Sequence, residues 1–212
     1  MPLVWLISKL YLGLKMENHR QVRKVGRTGY FLYGNHTRAL DAFLPAMVAF
    51  PRRSYVVANP DAVSIPGLRS LVQMLGCLPL PTEQKAFPGF LEALAWRCQQ
   101  RACIGIFPEA HIWPFYTGVR PFVGTSFRYP VRMDVPVIAM AATYRKRRGL
   151  FFWMKRPGMT LTFSQPMYPD PALGVKAAQE ELRRRVYDFM RQVTDRPGNV
   201  EYIRYEYRAA SE

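Results

Sequence analysis

The chain has 212 residues, of which 49% are hydrophobic and 14% aromatic, a composition that excludes an intrinsically disordered protein. Its 30 Lys and Arg residues against 15 Asp and Glu give a formal net charge of +15. The expected partners are therefore anions such as nucleic acid, anionic lipid headgroups or phosphorylated carriers. The length, and the lack of a Gly/Ser/Pro-rich linker in the sequence, predict one domain.

The cysteines Cys77, Cys98 and Cys103 are an odd number and lie in apolar surroundings. This placement predicts reduced, buried side chains in a cytosolic setting rather than a disulfide framework. A zinc site is not expected, because the sequence contains no CxxC pair and no paired His/Cys spacing.

The N-terminal residues 3–14 place their apolar side chains at helical spacing. They are too few to span a bilayer, which takes ~20 apolar residues, and no signal-peptide pattern accompanies them. Two interpretations remain: a helix that lies in a membrane surface with Trp5 and Tyr11 as anchors, or an ordinary helix packed on the core. The basic residues between positions 20 and 27 favour a contact with lipid headgroups.

Residues 30–43 begin with an apolar run that passes Gly34 and reaches Asn35, His36 and, five positions later, Asp41. The apolar run predicts a buried strand, and the apolar residues after Asp41 predict a helix. If Asp41 lies at or near the N-cap of that helix, the loop folds back and the carboxylate meets the imidazole of His36. Such a pair can act as a general base, although the HxxxxD spacing alone is a weak signal.

Other apolar runs and helical periods extend this pattern along the chain. The predicted strands continue at residues 54–58, 103–107, 135–143 and 159–163. The predicted helices lie at residues 42–50, 66–75, 87–101 and 175–193. Strands that alternate with helices and are apolar throughout indicate an α/β domain with a mostly parallel sheet covered on both faces. The run at 159–163 alternates instead, so we expect it nearer an edge.

The strand predicted at residues 103–107 leads directly to Glu109 and His111. A carboxylate and an imidazole then lie at a strand end, where α/β sheets bind ligands. Two loops with acidic or imidazole side chains are thus expected to converge at one edge of the sheet. The alternative is that Glu109 simply pairs with an arginine.

Four blocks of the chain, in order, resemble the glycerolipid acyltransferase family, whose bacterial members acylate lysophosphatidic acid. Residues 35–41 resemble the NHxxxxD block of the family, and residues 65–76 resemble its second block. Residues 107–109 resemble the start of FPEGTR, and residues 135–138 resemble the VPVIP block. The first and third blocks together are a far more specific signal than either alone.

The resemblance implies transfer of a fatty acyl group from an acyl carrier thioester, acyl-ACP or acyl-CoA, to a hydroxyl of a lysophospholipid-like acceptor. It implies no acyl-enzyme and no metal or redox cofactor. His36 would deprotonate the acceptor hydroxyl, and Asp41 would orient His36. The substrate-binding candidates are Asn35, Arg38, Glu109, His111, Arg120 and Arg128.

The same resemblance predicts how the chain is organised and where it works. An acyltransferase domain at residues 30–196 would follow a membrane-contacting segment at 1–29 and precede a tail at 197–212. The expected location is the cytoplasmic face of the cell membrane, as a peripheral or monotopic protein. The expected partners are an anionic membrane surface, acyl carrier protein or a coenzyme A thioester, and a lysolipid acceptor, without nucleic acid.

The chain departs from the family at two positions. Thr82 and Ile112 stand where the family has the arginines that hold the acceptor phosphate. Their loss removes two bidentate phosphate ligands. One interpretation is an acceptor with a different head group, contacted by Glu109 and His111 from the same side. The other is that a cation elsewhere in the chain holds the phosphate, with Arg38, Lys85, Arg120 and Arg128 as candidates.

Three other functions also fit parts of the sequence. An acyl-thioester hydrolase would use the same His–Asp pair to activate water, and direct attack by water needs no GxSxG elbow. A nucleic-acid-binding domain would account for the charge, but no helix-turn-helix, RRM or OB pattern occurs. A metal site built from His36, Asp41, Glu109 and His111 is less favoured, because no two of these residues have the helical i, i+4 spacing.

Overall fold

The computed structural model describes residues 13–59, 76–147, 154 and 156–206. The predicted helix at 66–75, nearly all of the predicted helix at 3–14, and the last six residues of the tail lie outside these ranges. The strands are β1 (Lys15–Glu17), β2 (Tyr30–Gly34), β3 (Ser54–Ala58), β4 (Cys77–Pro79), β5 (Cys103–Ile106), β6 (Val137–Arg145) and β7 (Gly158–Phe163). The α-helices are α1 (Leu44–Ala49), α2 (Phe87–Gln99), α3 (Arg128–Met133) and α4 (Val175–Thr194). Short 3-10 helices cover His19–Val25, Ala39–Phe43, Gln84–Ala86 and Thr125–Phe127.

The strands of the described residues form one seven-stranded sheet in the order β1, β7, β6, β2, β5, β3, β4. Neighbouring strands are parallel except β6 and β7, which are antiparallel. The predicted α/β domain with a mostly parallel sheet is therefore confirmed. The central strand β2 pairs with both β5 and β6, and its Tyr33 lies opposite Ile106 on one side and Ala139 on the other. The carboxyl ends of β2 and β5 consequently lie side by side.

Both faces of the sheet are covered, which explains the continuous apolar runs. Successive residues of a strand point to opposite faces. In β6, Val137 and Ala139 pack in a cluster that includes Leu182 of α4. Ile138, between them, packs in a second cluster that includes Leu44 of α1. A strand in this position needs an apolar side chain at every residue.

The long helices follow their sequence patterns closely. The predictions for α2 and α4 are confirmed to within two residues at each end. In α4 the buried apolar side chains recur every three or four residues, at Ala178, Leu182, Val186, Met190 and Val193. Burying a large apolar side chain of this kind stabilises a fold by ~1.5–3 kcal/mol, so this stripe anchors α4 to the sheet. The short helix α3 was not expected, because six residues with an internal proline show no clear helical period.

The two edge strands were also not expected. β1 and β4 contain three residues each, too few to show a period of two. β7 is the second strand from one edge of the sheet, so it lies near an edge as its alternating pattern predicted. All six of its residues are nevertheless buried. Part of the predicted membrane-contacting segment thus also contributes to the sheet, and Val22 and Val25 of the following 3-10 helix are buried. No helix of the described residues is long and apolar enough to cross a membrane.

The cysteines are free thiols. Cys98 and Cys103 are buried as expected, whereas Cys77 is half-buried. Burial raises the pKa of both Cys98 and Cys103 to about 12. These two thiols therefore remain protonated and behave as small apolar side chains.

Candidate active site

The end of β2 is shaped by a glycine that makes room for an aromatic ring. A Cβ atom at Gly34 would lie 2.9 Å from a ring carbon of Phe107 and 2.9 Å from the terminal methyl of Met140. Phe107 follows β5 and stacks on the imidazole of His36, with ring centroids 4.6 Å apart and an interplanar angle of 24°. The two central strands therefore place an aromatic ring directly against the imidazole.

Asp41 is held by backbone groups of the loop that precedes it. It is the third residue of the 3-10 helix Ala39–Phe43, and the residue is 1% exposed. Its Oδ2 atom accepts hydrogen bonds from the backbone N–H groups of Thr37 at 2.7 Å and Arg38 at 2.8 Å. The same oxygen lies 3.3 Å from Nδ1 of His36. The loop folds back as the sequence predicts.

The contact with Asp41 fixes which imidazole nitrogen can meet a substrate. A hydrogen bond to the carboxylate requires the proton of a neutral His36 on Nδ1, so Nε2 carries the free lone pair. Nε2 has no hydrogen-bond partner among the described residues, and the His36 side chain is 15% exposed. The arrangement is that of a general base with one nitrogen oriented and the other free.

A second layer of hydrogen bonds joins this pair to β6. The hydroxyl of Tyr144 donates to Oγ1 of Thr37 at 2.7 Å. Oγ1 of Thr37 in turn donates to Oδ2 of Asp41 at 3.5 Å. Burial raises the pKa of Tyr144, so its phenol stays protonated and acts as a donor. Nothing in the sequence spacing pointed to Tyr144, because it is brought to the site by strand pairing rather than by proximity along the chain.

Asn35 has a structural place in the site. Its Nδ2 donates to the carbonyl oxygen of Ala142 at 3.1 Å, and its Oδ1 accepts from the N–H of Ala142 at 2.7 Å. The side chain is buried and both ends of its amide are occupied. Asn35 thus ties the chain just before His36 to β6, and its predicted contact with a substrate stays a prediction.

Glu109 is buried and pairs with an arginine. Its Oε2 accepts hydrogen bonds from Nε of Arg120 at 3.0 Å and from Nη2 at 2.9 Å, while Oε1 accepts from the backbone N–H of Arg120 at 3.2 Å. Burial raises the pKa of Glu109, and the Arg120 guanidinium opposes that rise. Of the two alternatives, the structure shows the one in which Glu109 pairs with an arginine, and both partners are thereby occupied.

Among the described residues, the side chains of His111 and Arg128 make no hydrogen bond or ion pair with His36 or Asp41. The His111 side chain is exposed, whereas Glu109 is buried. The backbone oxygen of His111 accepts a hydrogen bond from Nη2 of Arg120. Arg128 is exposed at the start of α3, and no hydrogen bond or ion pair within the described part of the chain joins it to His36.

Arg38 is a predicted binding residue whose guanidinium lies beside the catalytic segment. Its guanidinium lies 5.1 Å from the ring centroid of Phe115 and has no carboxylate partner within the described ranges. Two more arginines lie nearby in the sequence of β6 and its end: Arg145 is the last residue of β6, and Arg147 follows it. Burial lowers the pKa of Arg147, and the positive charges of Arg145 and Arg38 lower that pKa further. The site therefore has a positive field on the side of Arg38. Thr82 and Ile112 are both exposed.

A loop of aromatic residues borders the catalytic segment, and the sequence analysis did not identify it as part of the site. Trp113 donates its N–H to the carbonyl oxygen of His36 at 3.2 Å, and Phe115 donates to that of Thr37 at 3.0 Å. The feature of the sequence that indicates this loop is the run of three aromatic residues among positions 113–116. Within the described residues no group of three or more His, Cys, Asp or Glu side chains could hold a metal ion.

The contact between His36 and Asp41 lies on a mostly parallel α/β sheet. Comparisons with known proteins show the family to which such a chain belongs. A family model described as Acyltransferase matches residues 13–143, which is more than half of the chain. The chain therefore belongs to the acyltransferase family. No curated protein matches it.

A solved structure shows the same fold. It is the 1-acyl-sn-glycerophosphate (LPA) acyltransferase, PlsC, from Thermotoga maritima, with a TM-score of 0.61 and 17% sequence identity. The similarity covers 88% of this chain and 75% of that chain. The resemblance seen in the sequence blocks is thus confirmed at the level of family and fold, and the protein is an acyltransferase-like enzyme.

Proposed function

We propose that the protein moves a fatty acyl chain from an acyl carrier thioester, acyl-ACP or acyl-CoA, to a hydroxyl group of a lysophospholipid-like acceptor. The observation that carries the proposal is the contact of 3.3 Å between Nδ1 of His36 and Oδ2 of Asp41, with Nε2 left free. In a member of the acyltransferase family, this geometry suits the deprotonation of an alcohol at neutral pH.

The reaction needs one base that later becomes an acid. Nε2 of His36 takes the proton of the acceptor hydroxyl while the oxygen attacks the thioester carbonyl and forms the new C–O bond. Asp41 stabilises the imidazolium that results. When the tetrahedral intermediate collapses, the C–S bond breaks, and the departing sulfur receives the proton from the imidazolium. No residue of the protein is acylated in this sequence.

The acceptor head group is proposed to meet Arg38. Thr82 and Ile112 lack charge, and Arg120 already pairs with Glu109 through two hydrogen bonds. Arg38 adjoins the catalytic pair because its own N–H donates to Asp41. Its guanidinium is therefore the cation best situated for an anionic head group.

The head-group proposal is tested by comparing lysophosphatidic acid with a lysolipid whose phosphate is blocked. The wild-type protein is expected to prefer the free phosphate, and Arg38→Gln is expected to raise KM for it about tenfold, because a hydrogen bond to a charged group is lost. Equal use of both acceptors by the wild-type protein, with no effect of Arg38→Gln, would instead support a non-phosphate acceptor.

The catalytic proposal is tested with radiolabelled acyl carrier and a panel of acceptors. Acyl product on an acceptor supports transfer, whereas free fatty acid released regardless of acceptor supports the alternative, a thioester hydrolase. His36→Ala is expected to lower turnover by about 10²–10⁴, the usual contribution of a general base. His111→Ala removes an exposed imidazole and is expected to retain turnover. A loss of turnover in His111→Ala would indicate that His111 contacts the acceptor.

We further propose that the protein works at an anionic membrane surface, as a peripheral or monotopic protein on the cytoplasmic face. The net charge of +15 and the apolar pattern of residues 3–14 support this location. A variant that lacks residues 1–12 retains the buried Leu14 and β1 and is expected to sediment less with anionic vesicles. High salt should weaken binding further, since part of the attraction is electrostatic. Equal sedimentation of the shortened and full chains would contradict the role of the N-terminal residues.

A further inference from the structure

The aromatic loop, residues 111–117, lies against the active site on one side. Two of its N–H groups bind the carbonyl oxygens of His36 and Thr37. The ring of Phe115 lies 5.4 Å from that of Tyr144 and also faces the guanidinium of Arg38. The loop therefore packs against the backbone of the catalytic segment and beside Arg38, the cation proposed to meet the acceptor head group, so its position affects where that guanidinium lies.

The aromatic loop also contacts the C-terminal segment, residues 197–206. The ring of Tyr205 stacks on that of Trp113, with centroids 5.0 Å apart and an angle of 18°. Its hydroxyl donates to the carbonyl oxygen of Pro114 at 2.8 Å. The ring of Tyr202 lies 4.8 Å from that of Phe115. Every one of these contacts joins the C-terminal segment to the loop rather than to the core.

Asn199 fixes the start of the C-terminal segment. Its Nδ2 donates to the carbonyl oxygens of Thr117 at 2.7 Å and Thr194 at 2.9 Å, and its Oδ1 accepts from the N–H of Tyr144 at 3.0 Å. The next residue, Val200, donates its N–H to the carbonyl oxygen of Tyr144 at 2.9 Å. One side chain thus connects the aromatic loop, the end of α4 and the strand that carries Tyr144.

We infer that the C-terminal segment is a positioning element of the acyltransferase site, with Tyr202 and Tyr205 as positioning residues that act through the aromatic loop. The inference rests on the proposed function. The loop has no helix or strand of its own, and its residues 111–114 are exposed, so its order depends on its contacts with other parts of the chain. The C-terminal segment supplies several of these contacts, through Tyr202 and Tyr205.

The surface position of these contacts separates this role from a contribution to the core. Tyr205 is 37% exposed, so removal of its ring leaves both hydrophobic clusters intact. The expected consequence is a looser loop and a poorer fit of the acceptor, with the His36–Asp41 pair unchanged. Binding of the acceptor should therefore suffer more than the chemical step.

The test uses the full chain with single substitutions and measures kcat and KM for the acceptor. Tyr205→Ala is expected to raise the acceptor KM about tenfold with kcat changed by less than about threefold, because a stacked ring and a hydrogen bond are lost together. Tyr205→Phe keeps the ring and is expected to recover most of the KM. The matched control is Arg204→Gln, since Arg204 is highly exposed and its ion pair is with Glu206 at 3.6 Å.

Hydrogen exchange of the aromatic loop supplies the second measurement. Tyr205→Ala should speed amide exchange in residues 111–117, while exchange in β2 and β6 stays at the wild-type rate. Wild-type KM and kcat in Tyr205→Ala would overturn the inference, whatever the exchange rates. An equal loss of kcat with a lower melting temperature would also overturn it, because that result is a general structural effect. Absence of acyl transfer by the wild-type protein would instead refute the proposed function.

Discussion

Asp41 and Glu109 are two buried carboxylates that follow neighbouring strands of the same sheet, and their surroundings differ. Asp41 accepts hydrogen bonds from uncharged N–H groups and faces an imidazole. Glu109 accepts two hydrogen bonds from the guanidinium of Arg120, one from Nε and one from Nη2. The negative charge of Asp41 can therefore interact with the imidazole of His36, whereas the negative charge of Glu109 is compensated by the guanidinium of Arg120.

The difference shows that a carboxylate at a strand end is not in itself a sign of chemistry. What decides its role is whether its partner can change charge during a reaction. Imidazole gains and loses a proton near neutral pH, whereas guanidinium stays charged. The Asp41 side of the site is therefore suited to proton transfer, and the Glu109 side is suited to fixing the loop that carries it.

Asp41→Asn tests the reactive side of this comparison and should have the largest effect. The amide oxygen can still accept the N–H groups of Thr37 and Arg38, so the melting temperature should remain close to that of the wild-type protein. An uncharged amide no longer stabilises the imidazolium, so turnover should fall by about 10²–10⁴. Steady-state kinetics and thermal melting followed by circular dichroism measure both effects. Near-wild-type turnover would remove Asp41 from the mechanism.

Arg120→Ala tests the structural side. The side chains of Arg120 and Glu109 are only 13% and 1% exposed, so the substitution leaves a buried carboxylate without its counter-charge. The free energy of unfolding should fall by ~3–5 kcal/mol, as measured by denaturant titration. Adding Glu109→Gln in the same chain removes the unpaired charge and should restore part of the loss. Unchanged stability in the single variant would mean that the pair does not hold the loop.

Gly34→Ala tests the aromatic contact that links the two sides. The added methyl would lie 2.9 Å from the ring of Phe107, so the ring must move from its place against His36. We expect a loss of ~1–3 kcal/mol in stability together with lower turnover. The matched control is Gly89→Ala in α2, where nothing lies within 4 Å of the added atom. That variant should be as stable as the wild-type protein or slightly more stable. Wild-type turnover in Gly34→Ala would show that Phe107 does not support His36.

Tyr144→Phe tests the outermost hydrogen bond of the Asp41 network and should have the smallest effect. It removes the donor to Oγ1 of Thr37 and keeps the ring that packs against Phe115. Loss of one such bond should cost about 0.5–1.5 kcal/mol in stability and lower turnover only a few-fold. The same melting and kinetic measurements apply. A loss of turnover as large as that of Asp41→Asn would place Tyr144 in the chemistry itself.

The sequence predicted those parts of the fold and site that local pattern determines. Long apolar runs predicted the central strands, and the five-residue spacing predicted the contact of His36 with Asp41, because both depend on residues close together in the chain. β1 and β4 escaped prediction, since their pairing is set by distant strands rather than by three residues of their own.

The Glu109 side could not be predicted in the same way. Ala110 has a φ of 64° and Phe115 a φ of 59°, left-handed conformations that sequence patterns do not forecast for these residue types. These turns help to return the chain so that Arg120 meets Glu109. The two hydrogen bonds between the side chain of Asn35 and the backbone of Ala142 likewise depend on the pairing of β2 with β6. No pattern of residues near Asn35 in the sequence indicates them.

The place of β1 also has a consequence for how the protein is made. β1 pairs with β7, and a hydrogen bond from Thr162 to Glu17 joins residues that are 145 positions apart. A ribosome synthesises β1 long before β7, so this edge of the sheet cannot close until the chain has been made at least as far as Phe163. The earliest described residues to leave the ribosome are therefore expected to be among the last to reach their final places.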